Sequence, residues 1–442
     1  ERGGERRELR KGSKPYLRFF FFFFDLIGRG GEHRLDPHGI IVFRRSPSRK
    51  IKGREMKIKR RKEVERVVEL VKGKEGNHGN EVAGQDQEEG MMRNVLYGAM
   101  LGAGSVMDLE TVMTPYQKNL GLRWMSDSLI HRLLDRTSAE QVRRRCYQVH
   151  RKMQEEGMFQ TTLADGRTIR LGHIDGFQIM THDYEALVVS GKVTAGIDYE
   201  PCTKGGNECV AALPLLCRAK ENGIELDLLT GDGITYNATY WKAVRREGMA
   251  FFTSVRGNDG RGLVLVKETD VLIKTDEQSP IGFRQVTTAG IVYGDARYAI
   301  QVVSHHHEEL ECPVKIGKLH KTYLKGKRKG VEEVHYVLTD MISLSPVDMI
   351  MVSIAHWEVE SYFDELKNDF WSAHSYKAKK EGALKLLLLV TTAMNLVKYS
   401  KTTVFADDSM SMANKKRLTK KIVRLLLSRI FVDLPLVSPV AC

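Results

Sequence analysis

The chain has 442 residues, a hydrophobic share of 42% and a formal net charge of +13, with an isoelectric point near 9.3. This length is enough for two or three domains with a substantial core, and the composition is that of an ordinary globular protein. The excess of lysine and arginine favours a polyanionic partner, with nucleic acid ahead of a membrane surface. No apolar run reaches the ~18 residues that span a bilayer. The longest, 383–397, contains Lys385 and predicts a buried helix.

The cysteines argue against a zinc site and against a disulfide scaffold. Six cysteines are few for this length, and no two of them form a CxxC pair. We therefore expect reduced, mostly buried thiols in a cytoplasmic protein.

Residues 1–55 are predicted to be non-globular. A phenylalanine run, Phe19–Phe24, is flanked by Arg- and Gly-rich sequence that has neither helical nor strand periodicity. A more orderly stretch begins at Met56, and we expect natural translation to start there.

Residues 56–165 are predicted to form a helical N-terminal DNA-binding region. A basic amphipathic helix over 56–72 precedes a polar, Gly-rich linker over 73–90. Helical periodicity then continues from 91 to about 158.

One helix of this region is especially rich in cations. The capping box Ser138-Ala-Glu-Gln141 begins it, and arginines follow directly. Neutralisation of phosphate supplies most non-specific affinity for DNA, so we predict that Arg144 and Arg145 contact the DNA backbone. A solvated basic face explains any single one of these residues equally well.

At Thr168 the periodicity changes from helical to that of strands. The pattern predicts three strands, a helix, a strand, a helix and a strand, in the ranges 168–175, 184–189, 193–199, 207–221, 225–230, 238–247 and 250–255. This is the element order of a ribonuclease-H-like α/β core. Residues 166–256 are therefore predicted to form the first part of such a core, and 341–405 its last helices.

Between these parts, residues 257–340 are predicted to form a β-rich insertion. Turn residues separate short predicted strands at 263–266, 271–274, 290–293, 298–303 and 334–338. A dense basic tract within the insertion supplies further predicted DNA contacts, namely Lys325, Lys327 and Arg328. Residues 406–442 are predicted to form a basic C-terminal helix and tail.

The helix predicted over 356–370 carries an apolar stripe and a carboxylate at its margin. Val359, Phe363 and Leu366 recur with helical spacing, and Glu360 lies beside them. From this helix alone, a surface helix with scattered charges is the simpler interpretation. Two upstream acids change that balance.

Asp175 ends the first predicted core strand, and Asp232 directly follows the fourth. In a ribonuclease-H-like fold these two strands are adjacent and the last helix packs across them, so Glu360 would join both aspartates. Three such carboxylates would hold two Mg²⁺ ions, and Mn²⁺ could substitute. One ion would activate a water or a 3′-hydroxyl, and the other would stabilise the leaving oxygen. Taken singly, each aspartate is more simply interpreted as a loop acid or a cap, and only the three acids in this element order favour catalysis.

Three other acids of the late helix are alternatives for the third ligand. They are Glu358, Asp364 and Glu365. Glu358 points away from the face of Glu360, and Asp364, one turn further on, is the second choice.

These motifs together resemble the DDE transposases of bacterial insertion sequences, in the branch with a β-rich insertion before the last acid. That branch carries Tyr, two residues, Arg, three residues, Glu, six residues and Lys, and the corresponding positions here are Ser353, His356, Glu360 and Lys367. The contexts Ile174-Asp175-Gly176 and Gly231-Asp232-Gly233 with Tyr236, and the segment Tyr336–Asp340 before Ser345-Pro346, also resemble the family. The similarity covers roughly residues 91–430.

The resemblance implies a metal-dependent transposase that cleaves the ends of its element and transfers them into target DNA. Its partners would be double-stranded DNA, at the terminal inverted repeats and at the target, with a dimer in the DNA complex and no membrane. Lys367 and His356 would contact phosphate, and the enzyme would work in the bacterial cytoplasm at the nucleoid.

Two departures from the signature keep alternatives open. Ser353 replaces the Tyr and His356 replaces the Arg, and histidine carries a full charge only when protonated. The chain is then either an active, divergent transposase or a catalytically weakened, transposase-derived DNA-binding protein. A host nuclease of the same fold is the remaining alternative.

Overall fold

The structure is a computed structural model, and it describes residues 33–35, 41–43, 53–72, 83–179, 182–202, 208–232, 237–255, 260–278, 286–370, 380–404 and 420–433. The phenylalanine run, Gly233 and Tyr236 lie outside the described residues. Within the segment predicted to be non-globular, two short strands pair antiparallel, β1 (His33–Leu35) and β2 (Ile41–Phe43). The strand prediction had missed this pair.

The N-terminal region is helical, as the periodicity predicted. Its helices are α1 (Gly53–Lys72), α2 (Ala83–Leu101), α3 (Val106–Met113), α4 (Gln117–Leu120), α5 (Asp127–Arg136) and α6 (Ala139–Glu155). Helix α2 begins within the stretch predicted as linker. The predicted capping box is present, since Ser138 accepts from the Gln141 backbone N–H and the Gln141 side chain accepts from that of Ser138.

A strand pair, β3 (Thr161–Thr162) and β4 (Thr168–Ile169), leads into the central α/β unit. Its elements are β5 (Leu171–Ile179), β6 (His182–Ser190), β7 (Ala195–Pro201), α7 (Glu208–Glu221), β8 (Leu228–Gly231), α8 (Ala238–Arg246) and β9 (Ala250–Val255). The predicted order of strands and helices is confirmed. Strand β6 runs antiparallel to both β5 and β7, whereas β8 lies parallel to β5 and to β9. The first and fourth strands of the unit are therefore adjacent.

The next segment begins with a helix, α9 (Gly260–Glu277), where two strands had been predicted. Leu265, Thr269 and Ile273 are buried at a spacing of four residues, which is the period of one helix face. The error came from short runs of β-branched residues, because periodicity cannot separate a short buried strand from a buried helix segment.

Four strands follow and extend the same sheet. They are β10 (Thr287–Tyr293), β11 (Ala296–His307), β12 (Cys312–Tyr323) and β13 (Glu332–Thr339), and they pair antiparallel in sequence. Strand β13 pairs with β9, which gives a nine-stranded mixed sheet in the order β10-β11-β12-β13-β9-β8-β5-β6-β7. The protein is thus a mixed α/β structure, and we refer to β10–β13 as the sheet extension.

Helix α10 (Pro346–Asp369) lies across this sheet. It begins with a capping box between Ser345 and Asp348 and has proline at its first position. The Phe363 ring stacks on Phe177 of β5 at 4.5 Å. Gly196 of β7 donates its N–H to the Tyr362 hydroxyl at 2.8 Å, and a Cβ at Gly196 would lie only 2.6 Å from that oxygen. The glycine allows the close approach that holds α10 on the sheet.

The remaining helices are α11 (Lys380–Thr403) and α12 (Lys420–Asp433). By length and composition, α11 alone among the described helices could cross a membrane, yet 94% of its most apolar window is buried inside the protein. Lys385 donates to the Leu134 carbonyl at 3.1 Å and pairs with Glu381 at 2.8 Å. The prediction of a buried helix is confirmed, and one hydrophobic cluster joins α11, the N-terminal helices and the sheet.

Candidate active site

Two aspartates lie close to each other along adjacent parallel strands. Asp232 directly follows β8, as predicted, but Asp175 lies in the middle of β5, which continues to Ile179, so the prediction that Asp175 ends its strand is wrong. His173 of β5 is paired in register with Thr230 of β8. Asp175 and Asp232 each come two residues beyond this pair, so a continuation of the register places their backbones side by side. Both residues are partly exposed. The Thr253 hydroxyl of β9 donates to the Asp232 carbonyl at 3.1 Å and fixes the chain where β8 ends.

Helix α10 covers the face of the sheet that carries Asp175. His173, Asp175 and Phe177 share one face of β5, because side chains alternate along a strand. Phe177 stacks on α10, and the His173 and His356 rings lie 5.9 Å apart. Asp175 therefore points to the side on which α10 packs.

A chain of buried hydrogen bonds fixes α10 to the two strands beneath the aspartates. Thr230 Oγ1 lies 2.9 Å from His356 Nδ1 and 2.7 Å from His173 Nδ1. His173 Nε2 continues the chain to Ser190 Oγ at 2.8 Å. Glu360 follows His356 by four residues, about one helical turn, on the same side of α10. The backbone of Glu360 is thereby held on the side of α10 that faces β5 and β8, while its side chain is exposed.

His356 is a neutral group in this environment. Burial lowers its pKa to about 4, and the nearby carboxylate of Asp232 only partly opposes that effect. Burial also lowers the pKa of His173 well below its ordinary value, with a further contribution from His356. His356 can donate a hydrogen bond to a phosphate oxygen, but at neutral pH it supplies no positive charge.

Ser353, the other departure from the transposase signature, is 3% exposed. Its hydroxyl donates to the Met349 carbonyl at 2.9 Å within the helix. It therefore contributes no group to the aspartates.

The donor set suits a hard divalent cation, because carboxylate oxygens are the ligands that Mg²⁺ and Mn²⁺ prefer. The backbone positions of the two aspartates also fit a shared site. As the side chains stand, however, the described residues contain no group of three or more His, Cys, Asp or Glu side chains close enough to hold a metal ion. A site formed by Asp175, Asp232 and Glu360 would require the exposed Glu360 side chain to turn towards the aspartates.

The alternative third acids have other surroundings. Glu358 accepts from the Tyr293 hydroxyl of β10 at 3.1 Å, and burial raises the pKa of Glu358 to about 7. Glu365 pairs with Lys398 at 3.0 Å. Asp364 is exposed and remains the second choice.

Lys367 Nζ lies 4.8 Å from the centroid of the Phe177 ring. Because Phe177 follows Asp175 by two residues, this ammonium lies on the face of β5 that carries Asp175. Lys367 remains a predicted phosphate contact.

The two predicted arginine contacts of α6 differ in placement. Arg144 is exposed. Arg145 is only 4% exposed, and its Nε lies 3.0 Å from Glu89. The prediction that Arg145 contacts DNA therefore needs correction, because the phase of α6 turns this residue inward, where its charge is balanced within the fold.

The predicted contacts of the sheet extension lie in the turn between β12 and β13. Lys327 is exposed, and Lys325 Nζ lies 3.4 Å from Asp295. Arg328 pairs with Glu333, and its guanidinium carbon lies 4.3 Å from the Tyr323 ring centroid. Arg328 is thus held within the protein more firmly than the two lysines.

Several residues of the site were not singled out from the sequence. His173 and Thr230 each precede an aspartate by two residues, so strand alternation could have placed them on the same face. Lys321 belongs to the basic tract but was not predicted as a DNA contact. Its Nζ is 4.6 Å from the centroid of the Trp357 ring on α10. Only the pairing of β12 with its neighbours could show which lysines of that tract face α10.

No protein-family model and no curated protein matches this chain. Among solved structures, the chain has a partial likeness to the cryo-EM structure of the piggyBac transposase synaptic complex with hairpin DNA. The TM-score is 0.36 and the sequence identity 13%, over 87% of this chain and 78% of that one. At these values the likeness defines neither the fold nor the function.

Proposed function

We propose that this protein is a DDE-type transposase with a ribonuclease-H-like catalytic core, which cleaves DNA at transposon ends and joins them to target DNA. The observation that carries the proposal is the parallel pairing of β5 with β8 up to His173 and Thr230, each two residues before an aspartate, beneath the helix that bears Glu360. The order β7-β6-β5-β8-β9 supports a ribonuclease-H-like core, since its first and fourth strands are adjacent and a late helix crosses them.

In this proposal Asp175, Asp232 and Glu360 hold divalent ions, Mg²⁺ or Mn²⁺. Bound ions would supply Lewis-acid stabilisation of the charge that develops during phosphoryl transfer. His356, neutral and fixed by Thr230, would donate a hydrogen bond to a phosphate oxygen. Lys367 would neutralise a neighbouring phosphate. Catalysis would then come from positioning and charge compensation, and no covalent enzyme intermediate is required.

The partners follow from this chemistry. The enzyme would bind double-stranded DNA at terminal inverted repeats and at the target site, as a dimer because two ends must be joined. Arg144, Lys325 and Lys327 are exposed cations suited to phosphate contacts away from the aspartates. The place of action would be the nucleoid in the bacterial cytoplasm.

A second candidate is a transposase-derived protein that binds DNA without cleaving it. Three observations favour it: Ser353 is buried, His356 is neutral at physiological pH, and the described side chains form no three-acid group. This candidate needs the basic surface but not the carboxylates.

Nicking of a supercoiled plasmid that carries this gene and its flanking DNA tests the proposal. We expect the wild-type protein to nick the plasmid with Mg²⁺ or Mn²⁺ and not with a chelator. Asp175→Asn, Asp232→Asn and Glu360→Gln should each lower the rate by at least ~100-fold, because each removes a group that acts on the transition state. Asp183→Asn, on the neighbouring strand β6, is the matched control and should retain activity.

Two results would decide against the proposal. Nicking by Asp175→Asn at the wild-type rate would refute the site. A wild-type protein that binds the plasmid tightly and nicks it with neither metal would establish the second candidate instead.

A further inference from the structure

Lys321 brings a positive charge from the sheet extension to the part of α10 that bears Glu360. It lies on β12, and its side chain is 18% exposed. Its ammonium lies 4.6 Å from the centroid of the Trp357 ring and 4.9 Å from that of Tyr323. A cation over an aromatic face at these distances is held by the ring quadrupole.

Trp357 is itself fixed against the extension. Its ring stacks with Tyr298 of β11 at 6.1 Å and lies 5.1 Å from the His335 ring of β13. Trp357 precedes Glu360 by three residues, so the indole and the carboxylate occupy neighbouring positions on the helix surface. The ring therefore fixes where the Lys321 ammonium sits relative to Glu360.

The electrostatics agree with this placement. Burial lowers the pKa of Lys321, while the carboxylates of Glu333 and Glu360 act in the opposite direction. Glu360 is thus within electrostatic range of the ammonium. The Glu333 oxygen lies 3.9 Å from Nζ, a long contact, and Glu333 also pairs with Arg328. An incoming phosphate can compete for Lys321 at such a contact.

The surroundings of α10 leave a role for this charge. The transposase signature has an arginine at the position of His356, whose Nδ1 instead lies 2.9 Å from the Thr230 hydroxyl. Lys367 approaches from the β5 side, where it lies over Phe177. Lys321 approaches from the side of the sheet extension. The two lysines therefore flank the helix segment that carries Glu360.

We propose that Lys321 is a positioning residue that binds a DNA phosphate beside Glu360, with Trp357 as the platform that holds its ammonium. Its part in cleavage rests on the proposed function, whereas the phosphate contact can be measured by itself.

The test uses a fluorescein-labelled, random-sequence DNA duplex and measures its affinity for the full-length protein over a series of NaCl concentrations. Loss of one phosphate contact lowers the slope of log K against log salt by about 0.9. We expect that decrease for Lys321→Gln and restoration of the slope for Lys321→Arg. Thermal unfolding of each variant checks that the fold is intact.

Lys318→Gln is the matched control. Lys318 lies on the same strand, pairs with Asp270 at 2.8 Å and lies 5.7 Å from the Tyr336 ring centroid. It precedes Lys321 by three residues and so faces the opposite side of the sheet. Its replacement removes the same charge and a similar ring contact, and the salt slope should stay at the wild-type value.

The outcomes separate this inference from the proposed function. An unchanged slope for Lys321→Gln overturns the inference, even if the wild-type protein nicks DNA and Asp175→Asn does not. If Lys321→Gln lowers the salt slope but the wild-type protein nicks no DNA, the phosphate contact is supported and the proposed enzymatic function is rejected. Absence of duplex binding by the wild-type protein overturns both.

Discussion

The same sheet holds carboxylates in two contrasting environments. Asp198 on β7 is 0% exposed, and its oxygens lie 3.1 Å from Arg143 Nε and 2.9 Å from Arg218 Nε. The Tyr147 hydroxyl donates to it at 3.1 Å. Asp175, within β5, and Asp232, directly after β8, are partly exposed to solvent instead.

The difference lies in what balances the charge. Arginines from α6 and α7 enclose Asp198, so its charge is used to join two helices to an outer strand. Asp175 and Asp232 are partly open to solvent under α10, so a cation from outside the chain can reach them. The residue type is the same in both places, and the neighbouring elements decide between a structural and a functional carboxylate.

The largest effect on the free energy of unfolding should come from replacing the enclosed carboxylate of Asp198. Asp198→Asn removes the buried carboxylate shared by Arg143 and Arg218 and leaves them only Glu200, which lies 3.6 Å from Arg143 and 2.6 Å from Arg218. Removal of one partner of a buried ion pair costs about 3–5 kcal/mol. The free energy of unfolding, measured in urea, should fall by that amount.

Asp175→Asn is the natural control in the same assay, because a substitution at a solvent-accessible position changes stability by less than about 0.5 kcal/mol. Equal losses in the two variants would contradict the distinction between the environments.

Glu358 sharpens the comparison, because it is only partly exposed but faces the neutral Tyr293 hydroxyl instead of arginines. Burial raises its pKa from 4.5 to about 7, and the hydrogen bond from Tyr293 and the charge of Lys398 act in the opposite direction. The folded state therefore retains a proton that the unfolded state loses, so stability should decrease as the pH rises through this interval. The total decrease is about 3 kcal/mol at 1.36 kcal/mol per pKa unit.

Urea denaturation at a series of pH values, for the wild-type protein and Glu358→Gln, measures this effect. The difference in stability between the two proteins should shift in favour of Glu358→Gln as the pH approaches 7. A difference that is constant with pH would show that the pKa of Glu358 is the same in the folded and the unfolded protein.

Sequence periodicity predicted the central α/β unit well, because each of its strands is a short apolar run bounded by turn residues and helix caps. It also placed Asp232 directly after its strand, but it ended the first strand at Asp175, whereas β5 continues to Ile179 and is parallel to β8 only over its first residues. The sheet extension was harder. Helix α9 was mistaken for strands, and β12 was recognised only as a basic tract.

The remaining details depend on contacts between distant segments. Arg145 differs from Arg144 only by the phase of α6, and its partner Glu89 lies on another helix. The neutral state of His356 depends on burial between α10 and two strands, and the environment of Lys321 on Trp357 and Glu333. None of these environments is encoded by local spacing, because each requires the tertiary arrangement of the sheet and α10.

The central claim is that Asp175, Asp232 and Glu360 share divalent cations, and anomalous diffraction from crystals grown with Mn²⁺ measures it most directly. We expect manganese peaks within about 2.0–2.6 Å of carboxylate oxygens from both aspartates, with the Glu360 side chain turned towards them. Manganese bound elsewhere, or Glu360 still directed into solvent beside a fully occupied site, would contradict the three-carboxylate centre.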